Sequence, residues 1–491
     1  MKLLLVTPPY HAGVVESAGC WMPLSLVYLA GAARDAGVEV EIYDAMTKQH
    51  SLKDIESKLA TADPDYLGIS TITASLPASL DVLQLAKRLK PHVTTIMGGV
   101  HPTFCDEELL KEHGDVIDFI IRGEGELTLP ALLRELMEGR DPLEVRGISF
   151  ARDDAVIRTP AQPFISDLDN LRVAWDLLEW EDYQYFVIPD SRLAAISTSR
   201  GCSHECTFCS QQKFWEQTWR ARSPESVVAE MQMLKETYGA NVFLITDEYP
   251  TSDRERWELL LDLIIDRNLD IYLLMETRVE DIIRDEQILD KYRAAGVIHV
   301  YIGIEATDQE TLDAIKKDAS AEQSRRAIEL IRQHGMISET SFVLGFPWET
   351  EQSIEHTLNL AKHYNPDFAH FLAITPWPYA DMYDEVKQRI EVYDYAKYNL
   401  VEPIIRPDAM SREAVHQAIV DCYKRYYMGK VIDYFNAKDP FVREYLTRSI
   451  RLIMNNSFLT QLMRRNGATK EFIWMNKYLS DKSGQETTSG V

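Results

Sequence analysis

Short apolar runs and amphipathic stretches take turns along the first 140 residues. Residues 2–6 form an apolar run that stops at Thr7-Pro8-Pro9. A helix is expected over residues 23–36, closed by Gly37, and residues 38–43 alternate with period two. The pattern continues with a helix over 51–60, a strand over 66–70, a helix over 75–90, a strand over 93–97 and another over 116–122. Strands alternating with helices predict a parallel, doubly wound sheet, and such sheets take ligands at the carboxyl ends of their strands. The alternation returns with strands expected at 194–198, 242–246, 271–275, 297–302, 341–344 and 369–374, and helices at 224–238, 322–334 and 350–364. That order predicts a partial (β/α)6 barrel, whose chemistry sits at the strand carboxyl ends. Between the two lies a linker, residues 141–190, with a small hairpin at 145–159. Helical spacing over 412–428 and 439–463 predicts a helical cap over the barrel mouth. The α/β chain thus divides into a first domain at 1–140, the linker, a barrel at 191–385, a helical domain at 386–479 and a polar, disordered tail at 480–491.

Composition narrows the class. The chain has 491 residues, of which 45% are hydrophobic and 26% charged, so it is globular, with room for about three domains. Acidic residues number 77 and basic residues 52, a net charge of −25. Such an excess opposes nucleic acid or anionic lipid as a general partner, but allows a local basic pocket. Six cysteines are too few for a disulfide scaffold. No apolar run is long enough for a transmembrane segment, and the first ten residues lack the core of an export signal. A reducing, cytoplasmic location is expected.

The strand ends of the first domain carry Thr7, Pro8 and Tyr10; Ser70, Thr71 and Thr73; Gly98, Gly99 and His101; and Gly123 and Glu124. Taken singly, such glycines more often end strands than bind ligands. Four such ends together let the backbone approach a large flat ligand. The Ser-Thr-x-Thr and Gly-Gly-x-His ends make this segment resemble the cobalamin-binding domain found ahead of many radical S-adenosylmethionine (SAM) enzymes, a Rossmann-like fold. The resemblance implies that these residues bind cobalamin. Other cobalamin proteins carry Asp-x-His-x-x-Gly, whose histidine binds cobalt from below; Asp44 to His50 does not fit that pattern. His101 is open to two readings, as a ligand or as a hydrogen-bonding residue.

The second domain opens with Cys202-x3-Cys206-x2-Cys209. Three thiolates on one loop can hold three irons of a four-iron cluster and leave the fourth open. A zinc site would need a fourth ligand, for which His204 is the nearby candidate. The spacing, with Phe208 before the last cysteine, resembles the radical SAM superfamily and its TIM-type barrel. The resemblance implies a 4Fe–4S cluster that chelates SAM and cleaves it to a 5′-deoxyadenosyl radical. It also implies SAM contacts from Phe208, from Asp247 and Glu248 in the place of the usual Gly-Gly-Glu, and from Arg278 to the SAM carboxylate. Glu276 or Glu305 would hold the ribose hydroxyls. The alternative is that these charges form structural pairs at the barrel mouth.

Further segments narrow the family: Ala18 to Pro23, Ser210 to Trp215, Trp219 to Arg222, Thr246 to Thr251, Glu276 to Val279, Thr375 to Tyr379, Tyr395 to Asn399 and Pro407 to Met410. This set resembles the anaerobic magnesium-protoporphyrin IX monomethyl ester oxidative cyclase family over residues 1–430. The resemblance implies a radical SAM oxidoreductase of bacteriochlorophyll biosynthesis that forms the fifth ring with water-derived oxygen, reduced by a donor such as flavodoxin or ferredoxin. A flat macrocycle needs stacking surfaces, for which Phe214, Trp215, Trp219, Trp377 and Tyr379 are candidates, with Lys213, Arg220 or Arg222 meeting propionates. The same aromatics also read as core, and Tyr426, Tyr427 and Tyr434 are open to two readings, serving the substrate or the core. His363 and His370 are minor candidates for touching magnesium. With so acidic a chain, carboxylate recognition requires a local basic patch at residues 213–222. A methyltransferase with the same cofactors and a non-catalytic sensor are the other readings.

Overall fold

The computed structural model describes residues 1–10, 18–153 and 155–456. The expected tail and the end of the last helix fall outside them.

The run Leu3-Leu4-Leu5-Val6 is buried on both sides, as a central parallel strand requires. Leu4 and Val6 pack on one helical layer, Leu3 and Leu5 on the other. The strands are β1 (Lys2–Val6), β2 (Glu39–Tyr43), β3 (Tyr66–Ser70), β4 (Thr94–Gly98), β5 (Phe119–Ile121), β6 (Ile148–Arg152) and β7 (Ala155–Arg158). Their order in the sheet is β2-β1-β3-β4-β5-β6-β7, parallel through β5. The order reverses between β1 and β3, which opens a crevice at their carboxyl ends. The hairpin expected in the linker is β6 and β7, and it does not stand alone. It continues the first sheet antiparallel to β5, which would otherwise be an open edge.

The second sheet begins at β8 (Leu193–Ile196). A short antiparallel pair follows, β9 (Ser199–Gly201) with β10 (Trp219–Ala221), then β11 (Val242–Ile245), β12 (Tyr272–Thr277), β13 (Val297–Glu305), β14 (Ile337–Leu344) and β15 (Phe368–Ala373). The six long strands are parallel and in sequence order from β8 to β15. This is the expected six-stranded partial barrel, with β8 and β15 at its two edges.

The C-terminal helices, Arg412–Phe435 and Pro440–Asn456, do not simply cap the mouth. Tyr426 donates to Pro366 O (2.6 Å), Tyr427 both donates to Ala369 O and accepts from Ala369 N, and Tyr434 donates to Asp367 O. The three tyrosines thus satisfy the backbone entering the edge strand. They serve neither a substrate nor only an apolar core. Among the described residues no helix is long and apolar enough to cross a membrane.

Candidate active site

The cluster loop leaves β9 through Gly201, whose φ is +96° and whose added Cβ would lie 2.1 Å from Thr218 O. Only glycine allows this close approach. The loop is fastened on both sides, by Thr207 N to Ile315 O (3.1 Å) and Met382 N to Thr207 O (3.0 Å). Phe208 packs in an apolar group with Ile315, Phe346, Ile374 and Met382, and Trp377 joins it. Cys206 is buried; Cys202 and Cys209 are partly accessible. Burial raises the Cys202 and Cys209 thiols, the second to about 11. Among the described residues no three His, Cys, Asp or Glu side chains gather as a site for a single metal ion. His204 instead turns Nδ1 toward Asp318 (3.2 Å) and its ring edge toward Tyr249. Three thiols on one loop, with His204 engaged elsewhere, suit a cluster with one open iron better than a four-ligand zinc site.

Arg278 is buried beside Cys206 and paired with Glu280 at 2.7 Å, and its Nε has no partner among the described residues. A guanidinium edge left open next to the cluster loop fits a ligand carboxylate. Glu276 projects into the barrel. Its carboxylate meets water there, but surrounding protein pushes its pKa up to about 8, with Glu248, Asp247 and Glu305 adding to the effect. Glu305 has φ +66° and accepts from Ser341 Oγ at 3.0 Å. Asp247 is a different case. It accepts from Thr198 N, Thr198 Oγ1 and Ser199 Oγ at 2.5–2.7 Å, and burial raises its pKa to about 6. Its oxygens are spent holding the turn from β8 into β9, so the expected SAM contact is corrected to a structural anchor. Glu248 accepts from Trp215 Nε1 (2.9 Å) and Gly201 N (3.2 Å).

One cavity of about 370 Å³ lies between the two sheets. From the first sheet it takes Ser70, Gly98, Gly99, Gly123 and Glu124, and from the barrel side Ser199, Arg200, Phe214, Trp215 and Glu248. It deepens into an apolar slot at Leu5, Gly68, Leu29 and Gly125. An added Cβ at Gly68 would come within 2.5 Å of Leu5, and one at Gly125 within 2.7 Å of Leu29. This is a cradle that side chains would fill, and it fits a large flat cofactor with an apolar appendage.

Other expected residues stand elsewhere. Thr7 bonds Asp44 (2.7 Å), Thr71 bonds Ser79 (2.9 Å), and Pro8 is buried; Tyr10 is partly buried, and none of the four lines the cavity. His101 is buried, with Nδ1 3.0 Å from Thr73 Oγ1; Thr73 in turn meets Tyr379 OH at 3.0 Å. Burial lowers His101 to about 4. His101, Thr73 and Tyr379 therefore bond to one another across the domain boundary, which corrects their separate assignment to cobalamin and substrate. The basic patch is neutralised as well. Arg220 makes 2.9 and 3.1 Å bonds to Glu124, Arg222 pairs with Glu230, and Lys213 reaches Asp381 at 2.8 Å. Glu124 also accepts from Arg200 (2.7 Å) and Ile165 N (2.7 Å), so it clamps the domains rather than facing a ligand with a free carboxylate. Arg200 and Glu126, joined at 2.6 Å, carry no expected role in the sequence yet complete this clamp. The signal was present, since one directly precedes Gly201-Cys202 and the other belongs to the Gly-Glu-Gly-Glu strand end.

Residues 10–133 match the B12 binding domain family and residues 196–361 the radical SAM superfamily. The fold and its facing sites define a cobalamin-binding radical SAM enzyme, whose cofactors are cobalamin, a 4Fe–4S cluster and SAM. The same fold is seen in the radical SAM methyltransferase TsrM of Kitasatospora setae with tryptophan and a SAM analogue bound (TM-score 0.71, 18% identity, 96% of this chain and 98% of that one). The chain is 38% identical to the anaerobic magnesium-protoporphyrin IX monomethyl ester cyclase of Rubrivivax gelatinosus, over 93% of this chain and 83% of that protein. It is 34% identical to the cyclase of Cereibacter sphaeroides, over 92% and 75%. An uncharacterized methyltransferase of Pyrococcus horikoshii is 29% identical over 87% and 93%. The chain belongs to the family of the anaerobic magnesium-protoporphyrin IX monomethyl ester cyclases.

Proposed function

We propose that this chain is the oxidative cyclase that closes the isocyclic fifth ring of magnesium-protoporphyrin IX 13-monomethyl ester with oxygen from water. The observation that carries the reading is the shared cavity, which opens on one side to the glycine ends of the first sheet and on the other to Trp215 and Glu248 behind the cluster loop. Identity to cyclases along nearly the whole chain favours this substrate among the reactions such a site can run.

Cys202, Cys206 and Cys209 would hold the cluster, and Arg278, with Glu248, Glu276 and Glu305, would orient SAM. Ser70, Gly98, Gly99 and Gly123 would meet the corrin through backbone and small side chains. When bound, these groups supply a hydrogen-abstracting radical and a one-electron acceptor. Trp215, Phe214 and Trp377 would flank the macrocycle and exclude water from its faces. Lys213 is the most exposed cation of the 213–222 stretch and would exchange Asp381 for a propionate. A low-potential donor such as flavodoxin or ferredoxin, a cytoplasmic location and the absence of a nucleic acid partner complete the proposal. The test is anaerobic reconstitution with the magnesium porphyrin ester in oxygen-18 water and methyl-labelled SAM. Deoxyadenosine with a labelled ketone in a new ring is expected. Transfer of the labelled methyl group to the product would instead establish the methyltransferase reading, which the Pyrococcus relative favours.

A further inference from the structure

Below the mouth, the barrel interior holds a polar column that begins at the SAM candidates Glu276 and Glu305 and whose lower half none of the cofactor contacts uses. Barrel interiors are ordinarily filled by layers of branched apolar side chains. Here the period-two alternation puts His299, Tyr301 and Glu305 of β13 on one face, and Glu339 and Ser341 of β14 likewise. The register sets Glu276 beside Tyr301, Tyr301 beside Glu339, and Ser341 beside His370. At the top, Lys317 (3.4 Å) and Ser341 (3.0 Å) hold Glu305, and Tyr301 OH donates to Ser341 Oγ at 2.6 Å. At the bottom, Glu339 lies 2.7 Å from His299 Nε2 and bonds His370 Nε2. His299 Nδ1 is 2.7 Å from Tyr445 OH, which meets Tyr185 OH. The Tyr301 phenol stands between these halves, within the fields of Glu276, Glu305 and Glu339. His370 Nδ1 has no partner among the described residues.

Polar side chains replace apolar packing here, and two hydrogen-bonded groups of them that meet at Tyr301 along a barrel axis ask for a use. We propose that the column from Glu276 and Glu305, through Ser341 and Tyr301, to Glu339 with His299 and His370 is a proton path from the active site to the barrel floor. The proposal rests on the cyclase reading for its chemical step. Water adds to a side-chain carbon already oxidised to a cation: one C–O bond forms, one O–H bond breaks, and the proton passes to Glu276 or Glu305 with no electron transfer. Surrounding protein, then the facing Glu248, Asp247 and Glu305, raise the Glu276 carboxyl to about 8, and the facing Lys317 opposes them. Those facing Glu339 are His299 and His370, which hold its carboxyl well below the usual range although burial opposes them, with Tyr185, Tyr423, Tyr427 and Tyr445 around it.

Two measurements on the full-length reconstituted enzyme test the path. In single turnovers between about pH 6 and 9, Tyr301→Phe and Glu339→Gln are expected to keep deoxyadenosine formation within about twofold. Ring closure should fall about tenfold or more, with a larger solvent deuterium isotope effect. Equal losses of deoxyadenosine and product, or unchanged ring closure, would overturn the path. Independently of any substrate, infrared titration follows the Glu276 carboxyl stretch, assigned by its loss in Glu276→Gln. Its midpoint is expected to move in Glu339→Gln, and the Tyr301→Phe background should abolish that movement. An unmoved midpoint means that the two halves are not coupled, and the path fails. If the wild-type enzyme makes deoxyadenosine but no cyclised porphyrin, the cyclase reading fails, and the infrared coupling decides the column by itself.

Discussion

The two sheets present opposite chemistry to the space between them. The first sheet offers little free charge, since its carboxylates Glu124 and Glu126 are spent on Arg200 and Arg220. Gly98, Gly99 and Gly123 give backbone, Ser70 gives one hydroxyl, and the neighbouring Thr7 and Thr71 are satisfied inside the domain. The barrel side offers carboxylates, with Glu248 lining the cavity and Glu276 and Glu305 beyond its lining, and the Arg278 guanidinium is half open beside the cluster loop. The first surface selects by shape and the second by charge and hydrogen bonds. A bulky, nearly neutral macrocycle needs the former, and a small zwitterionic sulfonium needs the latter.

The contrast can be broken in order of severity. Cys206→Ala removes one of three thiolates and is expected to abolish bound iron and SAM cleavage while cobalamin still binds the first sheet. Iron content and corrin absorbance on one sample would check both halves. Next is the clamp that joins the two surfaces. Glu124→Ala takes the shared carboxylate from buried Arg200, which keeps Glu126, and from partly buried Arg220, and about 2–3 kcal/mol of stability should be lost in denaturant unfolding. On the shape side, Gly99→Ala meets φ +105° and places a Cβ 2.4 Å from Thr71 O. A cost of about 1–3 kcal/mol and weaker cobalamin retention are expected, with SAM binding unchanged by calorimetry. On the charge side, Glu276 has a folded pKa near 8 against an ordinary 4.5. The folded state therefore holds a proton that the unfolded state has released, and stability falls as pH rises through that window. The melting temperature of Glu276→Gln should gain on wild type from about pH 4.5 to 8 and run parallel outside it. The smallest effect is expected from Lys213→Ala, a half-exposed pair with Asp381 worth about 0.5 kcal/mol or less, whose removal would raise the KM for a carboxylate substrate without moving Tm.

Much of this was legible in the residues. The runs at Leu3 to Val6 and Val242 to Ile245, bounded by Pro, Gly and acidic ends, carry both parallel sheets, and the cysteine spacing carries the cluster loop. What escaped depends on partners distant in sequence. Asp247 looks like a ligand until Thr198 and Ser199 are seen to occupy both its oxygens. Arg220 looks like a basic anchor until Glu124, 96 residues away, takes it. The tyrosines of the Arg412–Phe435 helix look like core because helical periodicity records burial but not the bare carbonyls of β15. The polar barrel interior was written in the alternation of His299, Tyr301 and Glu305, but period two cannot say whether the polar face meets solvent or a barrel axis.

The start of the chain is stitched to a segment made much later. Phe186 N bonds Ala18 O, Cys20 N bonds Gln184 O, and Ala174 N bonds Val27 O, while Gly31 lies so close to Arg172 O that an added Cβ would be 2.4 Å away. At roughly 5–20 residues per second, the ribosome delivers those partners many seconds after the first strand. During that interval the helix Leu24–Arg34 has one uncovered flank. The nascent first domain is thus an unfinished object on the ribosome, and the same holds for any gene fragment cut at residue 140.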